Sequence, residues 1–374
     1  MKKIGIVGGG QLGKMITQEA KKMGMSVYVI DPTEKSPAGQ IADYQIVADY
    51  KDEKAIKKLG SMVDVLTFEI ELANSKVLED LQKKGVSVHP SPKTLDIIKD
   101  KLKQKQFLRK AGIPVADFVQ VESEKDILNV VKKFKYPVLL KARFDAYDGR
   151  GNAVIYNQRD IKKGLTKLKG RKLYIEKFVP FKKELAVMVV RSTKGEIAVY
   201  PVVETIHRDN ICHIVKVPAP VPSEVSKKAQ RLAQKTMKYL RGAGVFGIEM
   251  FYSQKGEVFI NEIAPRVHNS GHYSIEASIT SQFEQHLRAI TGLPLGSTKL
   301  KVPASVMINI LGNRQGEAKV NGLEKALKIE GVSVHIYGKK ETRPERKMGH
   351  ITVIDETIDK AYKKAIAARR YISI

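Results

Sequence analysis

Tryptophan is absent from this chain, and cysteine occurs once, at Cys212. A single thiol excludes an internal disulfide and any cysteine cage for a metal, and it reads as a small core side chain. No apolar run is long enough to span a bilayer. The N-terminus enters strand-like KKIGIVG directly, with no charged-then-apolar signal segment. The expected location is the cytoplasm, with no membrane partner. No G-x-S-x-G occurs and Cys212 has no catalytic setting, so covalent nucleophilic catalysis lacks support. Acidic residues are in deficit, 40 Asp and Glu against 66 Lys and Arg, for a net charge of +26. Such a charge suits nucleic acid, an acidic surface or anionic small substrates. The lysines, however, are scattered along helical segments (KKLG, KKFK, KKAQ, KKAIAARR) with carboxylates between them. A solvated lysine-rich surface is the plainer reading. A basic nucleic-acid-binding protein stays open as the non-enzyme alternative, and steep salt dependence of duplex binding would reveal it.

The 374 residues suffice for two or three domains with a sizeable core. The first ninety alternate: strands KIGIVG, MSVYVID, VDVLTFE and VSVHP are separated by helices QLGKMITQEAKKMG, DEKAIKKLG and SKVLEDLQKKG. That order predicts parallel βαβ units. Punctuation at 91–94 precedes one long predicted helix, TLDIIKDKLKQKQFLRKAG. Strands YPVLLKARF, AVIYN and KLYIEKFV then surround helix EKDILNVVKKF. Residues 184–265 are strand-rich, and strands SVMINIL, VSVHIYG and GHITVID with helix DKAYKKAIAARR close the chain.

Within GIVGGGQLGK, residues 5–14, Gly8, Gly10 and Gly13 spell G-x-G-x-x-G between a strand and a helix. Asp31 ends the second strand, near the position of a ribose-binding acid, so a nicotinamide dehydrogenase is one reading. The other is a helix N-terminus whose N–H groups face a different anionic ligand.

In FGIEMFYSQKGEVFINEIAPR, residues 246–266, a two-residue turn at Lys255-Gly256 would place Glu249 directly opposite Glu262. Carboxylates at directly opposed positions, with Cβ atoms roughly 5 Å apart, repel. A divalent cation with phosphate oxygens relieves that, and hard oxygen ligands favour Mg²⁺; solvated glutamates on a surface hairpin are the alternative. In VLLKARFDAYDGRGN, residues 138–152, a strand delivers Lys141 to a loop with Gly149 and Gly151, which suits phosphate closure or an ordinary hairpin equally. YIEKFVPFKKE offers Glu176, Lys177, Phe178 and Val179 at a strand end and Glu184 beyond. His268 and His272 have zinc-like spacing, but Asn-Ser-Gly between them is poor helix material and no third ligand is evident.

The order of these pieces resembles the ATP-grasp superfamily. GGGQLGKM, EKFVPFKKELAV, NEIAPRVHNSGHYSIEA, HIYGK and RKMGH resemble its N5-carboxyaminoimidazole ribonucleotide synthetase family over essentially the whole chain. The resemblance implies an ATP-grasp fold of mixed α/β class: a Rossmann-like parallel domain (1–95), an ATP-grasp domain (96–292, lid about 113–180) and a small β-rich C-terminal domain (293–374). It implies ATP-dependent carboxylation of 5-aminoimidazole ribonucleotide with bicarbonate through carboxyphosphate, in a homodimer without nucleic acid. Two Mg²⁺ ions, or Mn²⁺, would lie at Glu249 and Glu262. ATP would meet Lys101, Lys141, the loop Ala146, Tyr147, Asp148, Gly149, Arg150, Gly151 and Asn152, then Glu176 to Val179, Glu184, His207, Asn261 and Glu262. The ribonucleotide would meet Gln11, Leu12, Glu69, Tyr147, Asp148, His268, Asn269, Ser270, Lys339, Arg346 and Lys347. Asp148, Tyr147 and Arg266 are the expected catalytic group, Asp148 orienting or deprotonating the amine. Lys101 replaces a usual arginine, and Asp145-Ala146 a usual Gly-Gly. Formate-dependent glycinamide ribonucleotide formyltransferase is the enzymatic alternative.

Overall fold

The computed structural model describes residues 1–145 and 151–374. The N-terminal region is a five-stranded parallel sheet. Strand Lys3–Val7 lies at its centre, between Ser26–Asp31 and Val65–Phe68, with Tyr44–Val47 and Ser87–Val88 at the edges. The central strands are buried on both faces, as a parallel sheet covered by helices requires. Edge strand Tyr44–Val47 escaped the sequence reading. It is short and partly exposed, so it shows no apolar run.

A second, four-stranded antiparallel sheet holds Phe118–Val121, Leu173–Lys177, Val138–Ala142 and Asn152–Ile155 in that order. Helices Glu124–Phe134 and Arg159–Lys167 close one face over a small core. The third sheet begins at Val258–Ala264. It continues through Gly244–Ser253, Phe181–Arg191, Val203–Arg208, Ile211–Val217, Ala304–Leu311 and Lys347–Asp355 to Val332–Ile336. The pairing of Ile214 with Ile308 carries it without interruption into the C-terminal region. Helix Ser223–Leu240 buries its apolar stripe on one part of this sheet, and Ile358–Tyr371 on another.

The long predicted helix is in fact two, Pro92–Lys99 and Lys101–Lys110. Asp100 causes the break. Its carboxylate accepts from the N–H groups of Leu102 and Lys103 and takes a bidentate pair from Arg143. Capping there starts a new helix, which points Lys101 and Lys105 toward the junction of the second and third sheets. A further break falls at 200–202, where Pro201 interrupts the EIAVYPVVETIHR segment. No helix among the described residues is long and apolar enough to cross a membrane.

Candidate active site

One cavity of about 1240 Å³ lies where these three sheets meet. The glutamate hairpin forms its floor. Glu249 and Glu262 are directly opposed, as the sequence count required. The turn, however, is not the two-residue turn expected. Ser253 pairs with Glu257 around a three-residue loop that ends on Gly256, at φ +83°. The register is thereby off by one near the turn, and a β-bulge at Asn261 restores it. The bulge has a chemical result. It sets two consecutive residues, Asn261 and Glu262, toward the cavity.

The two carboxylates differ electrically. Burial, then the nearby Glu262 charge, lifts Glu249 to about 7. Burial also works against ionised Glu262, but the Lys101 ammonium paired with it brings its pKa below the usual carboxylate range. His268 Nε2 lies 3.6 Å from Glu249, and the His268 Nδ1 is held by Ser270 Oγ at 2.8 Å. Among the described residues no group of three or more His, Cys, Asp or Glu is arranged to hold a metal by itself.

Beside the carboxylates, Lys141 Nζ lies 3.5 Å from both Glu176 and Asn261. Lys105, which the sequence reading missed, binds the other Glu176 oxygen and the Ile260 carbonyl, each at 3.3 Å. Glu176 is 1% exposed, and its side chain is committed to these two lysines. Burial lowers Lys105 to about 8 against the pull of Glu176. Leu139, Val154, Phe178, Val179 and the stacked pair Phe181–Phe251 (4.9 Å between ring centroids) give an apolar slot next to these charges. Glu184 stands at its rim with His207 Nδ1 at 2.7 Å, a pairing that holds His207 above its ordinary pKa despite burial. Gly151 and Asn152 line the opening. Lys177 is exposed outside it, its N–H donated to the Asp117 carbonyl. The expected contacts of Ala146, Tyr147, Asp148, Gly149 and Arg150 lie outside the described residues. Asp145, in place of the usual glycine, takes φ +53°, a region aspartate tolerates better than most residues.

The cavity's other end is cationic. Lys339, Arg343 and Arg346, from segment 337–346, and Lys347, at the start of strand Lys347–Asp355, enter it facing Gln11, Leu12 and Glu69 of the N-terminal region. Burial, then Arg346, lowers Lys339 to about 8. Between the two ends Arg266 pairs with Glu71 at 2.9 Å, while its buried Nε–H has no hydrogen-bond acceptor among the described residues. Asn269 lines the same wall, its amide locked in a reciprocal pair with Asn309 (2.9 and 2.7 Å); Ser270 lies behind it, buried on His268.

The glycine turn needs correcting. Its N–H groups do not await an external anion. Gly10 and Gly13 both donate to the Glu69 carboxylate, the latter at 2.6 Å, and Gly9 donates to Asp31 at 2.9 Å. The second Asp31 oxygen takes the Thr33 N–H at 2.8 Å. An internal carboxylate sits where a dinucleotide pyrophosphate would, and the presumed ribose acid is spent on backbone. The dehydrogenase reading is thereby removed, and Gln11 and Leu12 reach the cavity from this helix start.

Comparison with known proteins agrees with this layout. The chain matches the ribonucleotide synthetase preATP-grasp domain over residues 1–99, the ATP-grasp domain over 106–283, and the phosphoribosylaminoimidazole carboxylase C-terminal domain over 305–364. It is 47% identical over 363 residues to a phosphoribosylaminoimidazole carboxylase of Ogataea methanolica, covering 95% of this chain and 67% of that relative. The chain spans about two thirds of the length of such fungal relatives. It covers 99% of the N5-carboxyaminoimidazole ribonucleotide synthetase structure from Thermotoga maritima, which covers 100% of this chain at 50% identity and TM-score 0.91. The Aspergillus clavatus synthase in complex with ADP and 5-aminoimidazole ribonucleotide is 38% identical, with TM-score 0.91 and coverage of 98% of this chain and 97% of that one.

Proposed function

The chain belongs to the N5-carboxyaminoimidazole ribonucleotide synthetase family of ATP-grasp ligases, and we propose that its cavity joins bicarbonate to the exocyclic amine of 5-aminoimidazole ribonucleotide at the expense of ATP. The observation that carries this reading is the cavity's division: an apolar slot beside lysines and paired carboxylates at one end, a cluster of cations at the other. ATP occupies the first end. Its base lies in the slot of Phe178, Val179 and Phe251, its ribose hydroxyls meet Glu184, and its phosphates meet Lys141 and Lys101. The ribonucleotide occupies the second, its 5′-phosphate between Lys339 and Arg346, the latter by its bidentate fork.

Glu249 and Glu262 fit a divalent cation. They are opposed hard-oxygen donors, and the repulsion that lifts Glu249 is what a cation removes. Mg²⁺ held by Glu249 and Glu262 would neutralise charge on the transferred phosphoryl group.

The chain's own groups do the rest. A bicarbonate oxygen forms a bond to the γ-phosphorus as the bond to ADP breaks, giving carboxyphosphate. The amine then bonds to the carboxyl carbon, phosphate leaves, and the amine proton passes to a base, for which Asp148 is the candidate. Lys141, held by Glu176 and Asn261, offsets charge on the phosphoryl oxygens. The Nε–H of Arg266, without an acceptor among the described residues, is the donor for the bicarbonate anion. A homodimer in the cytoplasm, acting on small molecules and not on nucleic acid, completes the reading.

The test is phosphate release from ATP and bicarbonate with and without the ribonucleotide. Ribonucleotide-dependent turnover is expected. Turnover that instead required formate and glycinamide ribonucleotide would replace this reading with the formyltransferase.

A further inference from the structure

The HIYGK and RKMGH blocks contain more than the cations of the cavity. They are the two arms of a hairpin, Val332–Ile336 paired with Lys347–Asp355, whose connecting segment carries Lys339 and Arg346. The base of this hairpin is tied from two sides. On one, His335 Nε2 lies 2.6 Å from Glu276 and the ring stacks on His350 at 4.4 Å and 9°. His350 Nδ1 in turn meets the Tyr337 hydroxyl at 3.1 Å. On the other, Lys14 Nζ donates to the carbonyls of Tyr337 (3.1 Å) and Ile336 (3.4 Å), and Gln40 Nε2 to that of Gly338 (2.7 Å).

Lys14 sits one helical turn beyond Gln11, on the helix Gln11–Lys22. The residue that grips the hairpin and the residue that offers an amide to the cavity therefore share one rigid segment. Gly338 permits the grip. It takes φ +79°, and a Cβ there would come within 2.5 Å of Gln40 Oε1 and 3.1 Å of Lys14 Nζ. Lys14 itself does not line the cavity.

We propose that Lys14 is a positioning residue for the ribonucleotide, fixing the separation between the Gln11 wall and the Lys339 hairpin by binding the peptide carbonyls that lead into Lys339. This rests on the reading that the hairpin holds the ribonucleotide 5′-phosphate. An ammonium on two carbonyls is a charge-assisted contact, and its loss lets the hairpin drift by the fraction of an ångström that a bidentate phosphate contact does not tolerate. Among the described residues the side-chain hydrogen bonds of Lys14 go to this hairpin, and the ATP end is built on other elements.

Steady-state kinetics of Lys14→Met, varying ribonucleotide at saturating ATP and then the reverse, tests this. The KM for ribonucleotide should rise about tenfold, equivalent to about 1.4 kcal/mol, with kcat and the KM for ATP within about twofold of the unaltered enzyme. Lys14→Arg, which keeps a cation of similar reach, should recover most of the loss. If Lys14→Met does not fold, Lys14→Gln, whose amide is too short to span both carbonyls, is expected to show the same selective rise. An unchanged KM for ribonucleotide in a folded variant, or equal rises in both KM values, overturns the positioning role. An unaltered enzyme with no ribonucleotide-dependent turnover overturns the underlying reading along with it.

Discussion

Raising the pH above about 8 is expected to weaken capture of the ribonucleotide while leaving the fold intact. The group responsible is Lys339, which burial and the neighbouring Arg346 guanidinium lower from 10.5 to about 8. Its Nζ donates to the Lys347 carbonyl at 2.7 Å, so the ammonium is held in place whether or not a phosphate is present. A bound phosphate would raise the value again; kcat/KM, which reports the free enzyme, sees the lowered one. One pH unit above it about a tenth of the enzyme keeps the charge, and kcat/KM for ribonucleotide should fall about tenfold per unit.

The stability linkage of the same group has the opposite sign. An unfolded lysine titrates near about 10.4, so between about 8 and 10.4 the unfolded chain holds more protons than the folded one. Stability from this group therefore rises with pH in that window, by at most about 1.4 kcal/mol per unit and less for partial exposure. Loss of activity and gain of stability from one lysine are distinguishable in one experiment: kcat/KM for ribonucleotide at saturating ATP from about pH 6.5 to 9.5, with a melting curve at each point. Lys105 also titrates near about 8, but it lies against Glu176 at the ATP end, and saturating ATP masks it. Lys339→Arg keeps its charge throughout this range and should flatten the alkaline limb. A wild-type profile that stays level to about pH 9.5, or an arginine variant with the same alkaline fall, refutes the argument.

Glu262→Gln should lower turnover at least about a hundredfold and shift the Mg²⁺ dependence to higher concentration, because one of two opposed donors is lost; near-normal turnover at ordinary Mg²⁺ would remove the metal assignment. Lys105→Met and Glu176→Gln each break a buried pair whose partners are 2% and 1% exposed, and each should cost about 3 kcal/mol, read from denaturant unfolding. The double variant should cost less than the sum of the two, since the Lys105–Glu176 interaction can be lost only once; strict additivity would show that the pair is not coupled.

The parallel N-terminal sheet was legible because its buried strands are continuous apolar runs between amphipathic helices. Tyr44–Val47 was not, because an edge strand needs no such run. The opposition of Glu249 and Glu262 was anticipated through a turn that does not exist. A three-residue turn and a bulge at Asn261 shift the register in compensating directions, and neither leaves a mark in apolar alternation. The split helix turned on Asp100, whose capping role depends on what faces it, including Arg143 just past the end of strand Val138–Ala142. Lys105 looked like one more surface lysine on a basic helix; only the packing of three elements around Glu176 makes it internal. The glycine turn announced an anion correctly but could not say that the anion is Glu69, which lies 56 residues beyond Gly13.

The long third sheet deserves a last consequence. Glu249 and Lys347 belong to strands five pairings apart, about 24 Å if the sheet were flat at about 4.8 Å per step. Both nevertheless line one cavity. On the proposed placement of the substrates, the interval between them is measured in peptide hydrogen bonds. Side-chain substitutions along the way leave such a ruler unchanged. Refitting the enzyme to a longer or shorter acceptor would call for inserting or deleting a residue within a strand, to create or erase a bulge.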